Sequence, residues 1–395
     1  MTQHATTGAS APSTTRESVL TALRDVVDPE LHDNVVDLGI VRSVEVAGSE
    51  VRVAVALTVA SCPLRAQIRD DVERRVLALA GVERVAVSVG VMGADERAAL
   101  MDRARHRAQD RAVDTGIPSS ARVLAVGSGK GGVGKSSVSV NLSVALAARG
   151  HLVGVLDADI WGFSVPRMLG LSGPLDVVGG KMRPVALPVG SGELRVVSMG
   201  FLSGEDGAIL WRGLVLARAL QHFLEDVAWG ELDYLVVDMP PGTGDVQMAL
   251  ARMLPRAELL VVTTPASGAE KVAGRAADMA RRGHLRVAGV VENMSGFVCD
   301  HGARYALFGS GGGERLAEAV GVPLLGTVPL DPTVAARGDT GSPVALDGSG
   351  PAASAFRAIA ERIAVEVAPV VQLAGCSARM LARVEDAVGP APTRG

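Results

Sequence analysis

The run Gly129-Lys130-Gly131-Gly132-Val133-Gly134-Lys135-Ser136 could do chemistry by residue type and by spacing. Gly129, Gly134, Lys135 and Ser136 satisfy the pattern G-x-x-x-x-G-K-[ST]. The run follows the apolar stretch VLAVGS and opens the helical stretch SSVSVNLSVALAARG. Glycines in such a loop let backbone N–H groups from Ser128 to Ser137 turn toward one anion, and the helix start adds partial positive charge. Lys135 then neutralises β- and γ-phosphate oxygens, and the Ser136 hydroxyl reaches Mg²⁺. The expected ligand is ATP with Mg²⁺. A rival pattern overlaps this one. Gly127-x-Gly129-x-x-Gly132 fits the dinucleotide fingerprint, and Asp157 ends the next strand, where a ribose-binding acid would lie. That fingerprint does not require Lys135-Ser136 at the helix start, so the triphosphate loop is preferred.

Two acidic segments complete the candidate site. Asp157-Ala158-Asp159 closes the second strand, and LVVDMPPGTGD places Asp238 at the end of a buried strand. A carboxylate at a strand end beside a phosphate loop can hold Mg²⁺ or its waters. Asp238 is assigned to Mg²⁺ through water, Asp159 to orienting the attacking water, and Asp157 to supporting the site. Pro240-Pro241-Gly242-Thr243-Gly244-Asp245 reads as a loop whose shape can depend on the γ-phosphate. By residue type alone, Asn293 in Val291-Glu292-Asn293-Met294 is a turn former at a strand end.

The cysteines Cys62, Cys299 and Cys376 are too few and too scattered for a disulfide framework, and their odd number agrees with a reducing compartment. Cys62, in Ser61-Cys62-Pro63, stands where a strand meets a helix. A helix N-terminus favours the thiolate, so Cys62 is a candidate metal ligand or nucleophile. Cys376 has no other ligand near it in sequence.

These residues need elements to position them. With 48% hydrophobic and 21% charged residues, the chain is not largely disordered. Aromatics are 3% and glycines number 47, so the core is built from small aliphatic side chains with many tight loops. Residues 1–14 read as disordered, with capping-box spacing between Thr14 and Glu17. Residues 15–93 read as a small α+β domain. In it the strand Val51–Val59 alternates, a helix over 64–80 turns Ile68, Val72, Val76 and Leu79 inward, and Val85–Val91 alternates again. Residues 94–120 read as a charged, solvated linker that is partly helical. From 121 to 368 seven continuous apolar runs, most of them separated by helical segments, predict a P-loop α/β domain: a mostly parallel sheet flanked by helices. Phe356, Ile359, Ile363 and Val367 mark one face of its last helix, and 369–395 is a tail.

The net charge of −4 gives no pull toward nucleic acid or an anionic membrane, and no apolar run approaches a membrane span. The N-terminus has no apolar core of a secretory signal, so the expected location is cytoplasmic.

The extra lysine, Lys130, makes KGGVGKS resemble the deviant phosphate loop of the MinD/ParA/nitrogenase-iron-protein class. In that class this lysine reaches the partner subunit's nucleotide, which implies a homodimer with ATP at its interface. GKGGVGKSS, DADIWGFSVPRMLG, WRG at 211–213, VDMPPGTGD and ENMSGF with FGSGGG together resemble the Mrp/ApbC family of ATP-binding iron–sulfur cluster carriers. The segment DPEL, NVVDLGIV and LTVASCPL resembles the small domain fused to such proteins, which also occurs in SufT-like assembly factors. The resemblance implies a slow ATPase that hands a labile cluster to apo iron–sulfur proteins. It also implies that Asn293 reads the nucleobase, near Val328-Pro329-Leu330-Asp331. The family holds its cluster on a Cys-x-x-Cys pair after ENMS. Here Cys299 is present, but Gly302 replaces the second cysteine. Either two Cys299 thiolates meet across a dimer and outside ligands, or His301, complete the set, or the cluster site is lost and a regulatory ATPase remains.

Three other classes compete. A positioning ATPase of the MinD/ParA kind needs a basic amphipathic end, and SARMLARVEDAV carries two arginines against two acids. A nitrogenase-like electron donor needs a second interface cysteine. A non-catalytic scaffold would use the same loop for dimerisation alone.

Overall fold

The computed structural model describes residues 14–370, apart from 29–30, 32, 59–64, 111–114, 160–161, 202–212, 243–244, 267, 269–273, 276–279, 281–282, 284 and 300. Cys62, Cys376, Trp211, Arg212 and the tail face Met380, Leu381, Val384 and Val388 therefore lie outside the described residues. The chain divides into two compact units, Met1–Arg111 and Ala112–Gly395.

In the first unit, α1 (Arg16–Leu23) starts one residue later than the Thr14/Glu17 spacing suggests. Thr15 is the cap: its hydroxyl accepts the Ser18 N–H, and the Thr15 N–H reaches the Ser18 hydroxyl at 3.0 Å. Thr14 is committed elsewhere, donating to the Ala80 carbonyl at 2.9 Å. Two short strands, β1 (Val27–Asp28) and β2 (Asp33–Asn34), pair antiparallel. Next come β3 (Val41–Ala47), β4 (Glu50–Leu57) and β5 (Arg84–Val91) in one sheet ordered β3-β4-β5. The β4 alternation buries Val51, Val53, Val55 and Leu57. β4 and β5 run parallel, so α2 (Arg65–Leu77) is their crossover, and its Ile68, Val72 and Val76 are buried.

The segment expected as linker behaves differently. It holds α3 (Ala94–Asp110), whose Leu100 and Ala104 are buried in the same core as Val19, Val53 and Ile68. Two apolar residues at i and i+4 give one helical face, and among so many charges that face is easily overlooked. Arg107 on the same helix pairs with Asp33 and reaches Asp37 at 2.9 Å.

The second unit is built on a nine-stranded sheet. Its strands are β6 (Arg122–Gly127), β7 (Leu152–Asp157), β10 (Val185–Val189), β11 (Gly192–Ser198), β12 (Tyr234–Asp238), β13 (Glu258–Thr263), β14 (Arg286–Val298), β15 (Arg304–Tyr305) and β16 (Leu324–Leu330). A separate hairpin joins β8 (Val177–Val178) to β9 (Lys181–Met182). The order is β10-β11-β7-β12-β6-β13-β14, with β15 and β16 both pairing with β14. Only the β10–β11 and β14–β15 pairings are antiparallel. All seven apolar runs are therefore strands of one sheet, and the central ones are buried along their length because helices cover both faces.

Helix α4 (Lys135–Ala148) rises directly from the phosphate loop and is buried continuously from Val138 to Ala147. The helix Pro351–Arg362 packs on it, burying Phe356 and Ile359, and the turn that follows buries Ile363. Among the described residues no helix is long and apolar enough to cross a membrane.

Candidate functional site

Parallel strands deliver their C-terminal residues to one edge of the sheet, where loops and helix starts meet. β6 ends there at Gly127, and the next residue, Ser128, is buried, its hydroxyl donating to the Lys130 carbonyl at 2.9 Å and folding the loop back on itself. Gly129, Gly131 and Gly132 continue it, with Gly132 at φ +79°. Val133 is buried, and Gly134 caps α4 in the left-handed conformation at φ +76°, which disfavours any side chain. Ser137 lies in the first turn, and its carbonyl accepts from Asn141 at 2.9 Å. Lys130 is exposed, whereas Lys135 is buried.

Three donors converge on Asp238 at the end of β12. Lys135 Nζ lies 2.7 Å from Oδ1, Ser136 Oγ donates to Oδ2 at 2.5 Å, and Ser139 Oγ donates to Oδ1 at 2.6 Å. Asp238 has no exposed surface. A buried carboxylate needs such partners, because desolvation of a bare charge costs several kcal/mol. Ser136 and Asp238 thus present two hard oxygen donors side by side, the chemistry Mg²⁺ prefers. Ser139 escapes sequence reasoning because it lies beyond the motif. Its signal is its place one helical turn after Lys135 and Ser136, on the same face.

Asp157 and Asp238 are opposed residues on the adjacent strands β7 and β12. Asp157 is fully buried. It accepts from the N–H groups of Asp159, Ser164 and Val165, each at 3.2 Å, and from the Ser198 hydroxyl at 3.1 Å. Burial, with the neighbouring Asp238 charge, pushes its carboxyl up to about 7, although the amide hydrogen bonds and Lys135 pull the other way. Asp159 is half-buried, and its Oδ1 accepts the Gly162 N–H at 3.2 Å. After Pro240 and Pro241, the Gly242 N–H donates to the Ser128 carbonyl at 3.2 Å, while Gln247 holds both proline carbonyls. The Pro-Pro-Gly turn is thereby tied to the phosphate loop. Thr243 and Gly244 lie outside the described residues.

Asn293 ends the buried part of β14, opposite Val328 of β16, so the expected neighbourhood of these two segments is present. Its Nδ2 donates to the Val133 carbonyl of the phosphate loop at 2.9 Å. β14 continues beyond it to Val298, and a tight turn returns the chain into β15. The Cys299 N–H donates to the Ala303 carbonyl at 3.0 Å, and the Gly302 N–H to the Cys299 carbonyl at 2.8 Å. Gly302 has φ +79°, the left-handed conformation that favours glycine in the turn leading into β15. The glycine that stands for a second cysteine is the residue this turn favours. Cys299 is half-buried, and His301 is exposed. Among the described residues no three His, Cys, Asp or Glu side chains gather as a metal site.

Comparison with known proteins decides what this arrangement belongs to. Residues 119–364 match the family described as NUBPL iron-transfer P-loop NTPase, and residues 16–89 match the family described as iron–sulfur cluster assembly protein. The chain belongs to the iron-transfer P-loop NTPases. It is similar to the iron–sulfur cluster carrier protein of Mycobacterium leprae, 45% identical over 343 residues, which span 85% of this chain and 88% of the relative. The iron–sulfur cluster carrier protein of Synechocystis is 43% identical over 357 residues, 89% of this chain and 98% of the relative. Among solved structures, a nucleotide-binding protein in complex with ADP from Archaeoglobus fulgidus is 38% identical, with a TM-score of 0.48, covering 56% of this chain and 86% of that one. The expected fold, a P-loop α/β domain preceded by a small α+β domain, is that of this chain, and the iron-transfer NTPase match falls on the unit that carries Lys135 and Asp238.

Proposed function

We propose that the protein is an ATP-dependent iron–sulfur cluster carrier, working in the cytoplasm as a homodimer and delivering its cargo to apo iron–sulfur proteins. The observation that carries this proposal is the convergence of Lys135, Ser136 and Ser139 on the buried Asp238, in a chain that belongs to the iron-transfer NTPases.

Phosphoryl transfer asks a protein mainly for positioning and charge. The amides of Gly129–Ser137 cradle the phosphates, and Lys135 turns from Asp238 toward the β/γ oxygens. Ser136 and Asp238 would hold Mg²⁺, which supplies further neutralisation of the phosphate charge. Asp159 orients the attacking water, and Lys130 serves the partner subunit's nucleotide. The tie between Gly242 and Ser128 gives the Pro-Pro-Gly turn a means of responding to what the loop holds. The cluster is cargo. Two Cys299 thiolates, one per subunit, supply ligands, and outside donors complete the set, because Gly302 contributes none. Cys62 is a second candidate ligand.

The test is anaerobic loading with ferrous iron and sulfide of the wild type, Cys299→Ala and Cys62→Ala, with iron per dimer and absorbance measured. A cluster near one per dimer, lost in Cys299→Ala, is the expected result. Loss in Cys62→Ala alone would move the cargo to the small domain. A wild type that holds no cluster above a protein-free control would overturn the carrier function. Mg²⁺-dependent phosphate release, abolished in Lys135→Ala, tests the ATPase separately.

A further inference from the structure

We propose that Asn293 is a positioning residue for the polyphosphate, acting through the loop backbone. The inference rests on the nucleotide-binding function proposed above and deepens it. Asn293 is 7% exposed, and its one amide donor directed at the loop is spent on the Val133 carbonyl at 2.9 Å. The side chain lies against the loop-to-helix corner so closely that a Cβ added at Gly134 would meet Nδ2 at 2.3 Å. Gly134, the residue before α4, has no side chain with which to cap the helix, and the Asn293 carboxamide from β14 lies against this corner.

The consequence follows from peptide geometry. In a planar trans peptide the C=O and the following N–H point in opposite directions. By holding the Val133 carbonyl, Asn293 turns the Gly134 N–H the other way. That N–H belongs to the run of amides that a phosphate loop offers to its anion. The anchor is itself firm. Asn293 is paired in register with Val328, and the preceding Glu292, 4% exposed, accepts the Gly313 N–H at 2.6 Å. A donor on a strand fixed on both sides holds a backbone carbonyl better than a donor on a loop does. The strand then leaves its regular path, since Met294 has φ +58° and is the only non-glycine described residue with a positive φ. The carboxamide is thus the last side chain of the rigid part of β14.

The experiment compares the binding of ATP, GTP and inorganic tripolyphosphate, each with Mg²⁺, to the wild type and to Asn293→Ala. Removing one buried hydrogen bond that orders the loop should weaken all three, tripolyphosphate included, by about five- to tenfold. Phosphorus NMR of the saturated complexes, that with tripolyphosphate included, should show shifted phosphate resonances. A loss confined to ATP, or no loss for tripolyphosphate, would overturn the proposal in favour of base contact. If Asn293→Ala does not fold, Asn293→Leu removes the donor at similar volume without adding a charge and is judged by the same comparison. Failure of the wild type to bind ATP would instead overturn the nucleotide-binding function itself.

Discussion

Asp157 shows how a single residue can set the response of the whole site to pH. Its carboxyl has no exposed surface and faces Asp238 across two adjacent strands, so its folded-state value rises from 3.8 to about 7. A raised value means that the folded state holds the proton more tightly than the unfolded chain does. Stability from this group is complete below 3.8 and is lost as pH rises through about 7. Asp157→Asn mimics the protonated form. In protein free of nucleotide and Mg²⁺, the variant should melt at a higher temperature than the wild type at pH 8. The gap should close as pH falls toward 5, and thermal melts across that range check it. An equal gap at both ends would mean that the Asp157 charge is not what costs stability. Residues of this kind are only half legible in a sequence. Lys135, Ser136 and Asp238 stand out because motif and strand end fix their places. Ser139 and Ser198 do not, since a hydroxyl inside a helix or strand signals nothing until its partner is known. Asn293 is visible as a strand-end residue, but its partner, the Val133 carbonyl, is a backbone atom 160 positions away.

At the scale of elements, burial decides what the sequence discloses. The central strands β6, β7, β12 and β13 are covered on both faces, so their residues are apolar almost without interruption, and such runs are easily read. The antiparallel edge strand β10 is only partly covered, with the pattern of exposed and half-buried residues expected of an edge. The two-residue strands β8 and β15 are too short to show any period. The buried face of helix α3, in a segment expected only as a partly helical linker, escaped for the opposite reason. Its apolar contribution to the first unit is mainly Leu100 and Ala104, hidden among arginines and acids. If that face holds the helix to the small domain, Leu100→Ala should cost about 2–5 kcal/mol, the usual range for a leucine emptied from a core. Urea unfolding followed by a probe placed in the first unit would read it. A change below about 0.5 kcal/mol, the size of a surface substitution, would return the segment to the status of a solvated linker.

At the scale of the whole molecule, the exposed Lys130 bears on assembly. Lys135 is buried and already committed to Asp238, whereas Lys130, five residues earlier in the same loop, is turned to solvent. A second lysine is not needed to bind the phosphates held by its own loop. Its cost is also slight, because an exposed ammonium keeps its hydration. It acquires a use when another subunit brings its own triphosphate against it, and then the attraction is between opposite charges in a site that excludes water, where it is strongest. The two roles separate by mutation. Lys130→Ala should bind ATP within about threefold of the wild type, a change of less than 1 kcal/mol. It should nevertheless fail to form the dimer proposed for the wild type with ATP and Mg²⁺. Sedimentation velocity with and without nucleotide distinguishes these states. Because a carrier with one Cys299 per subunit needs two subunits to offer a pair of thiolates, the same variant should also load less cluster, although no cysteine has been touched. A Lys130→Ala protein that still dimerises with ATP would remove the lysine from the interface, and full cluster loading by a monomer would remove the need for a second Cys299.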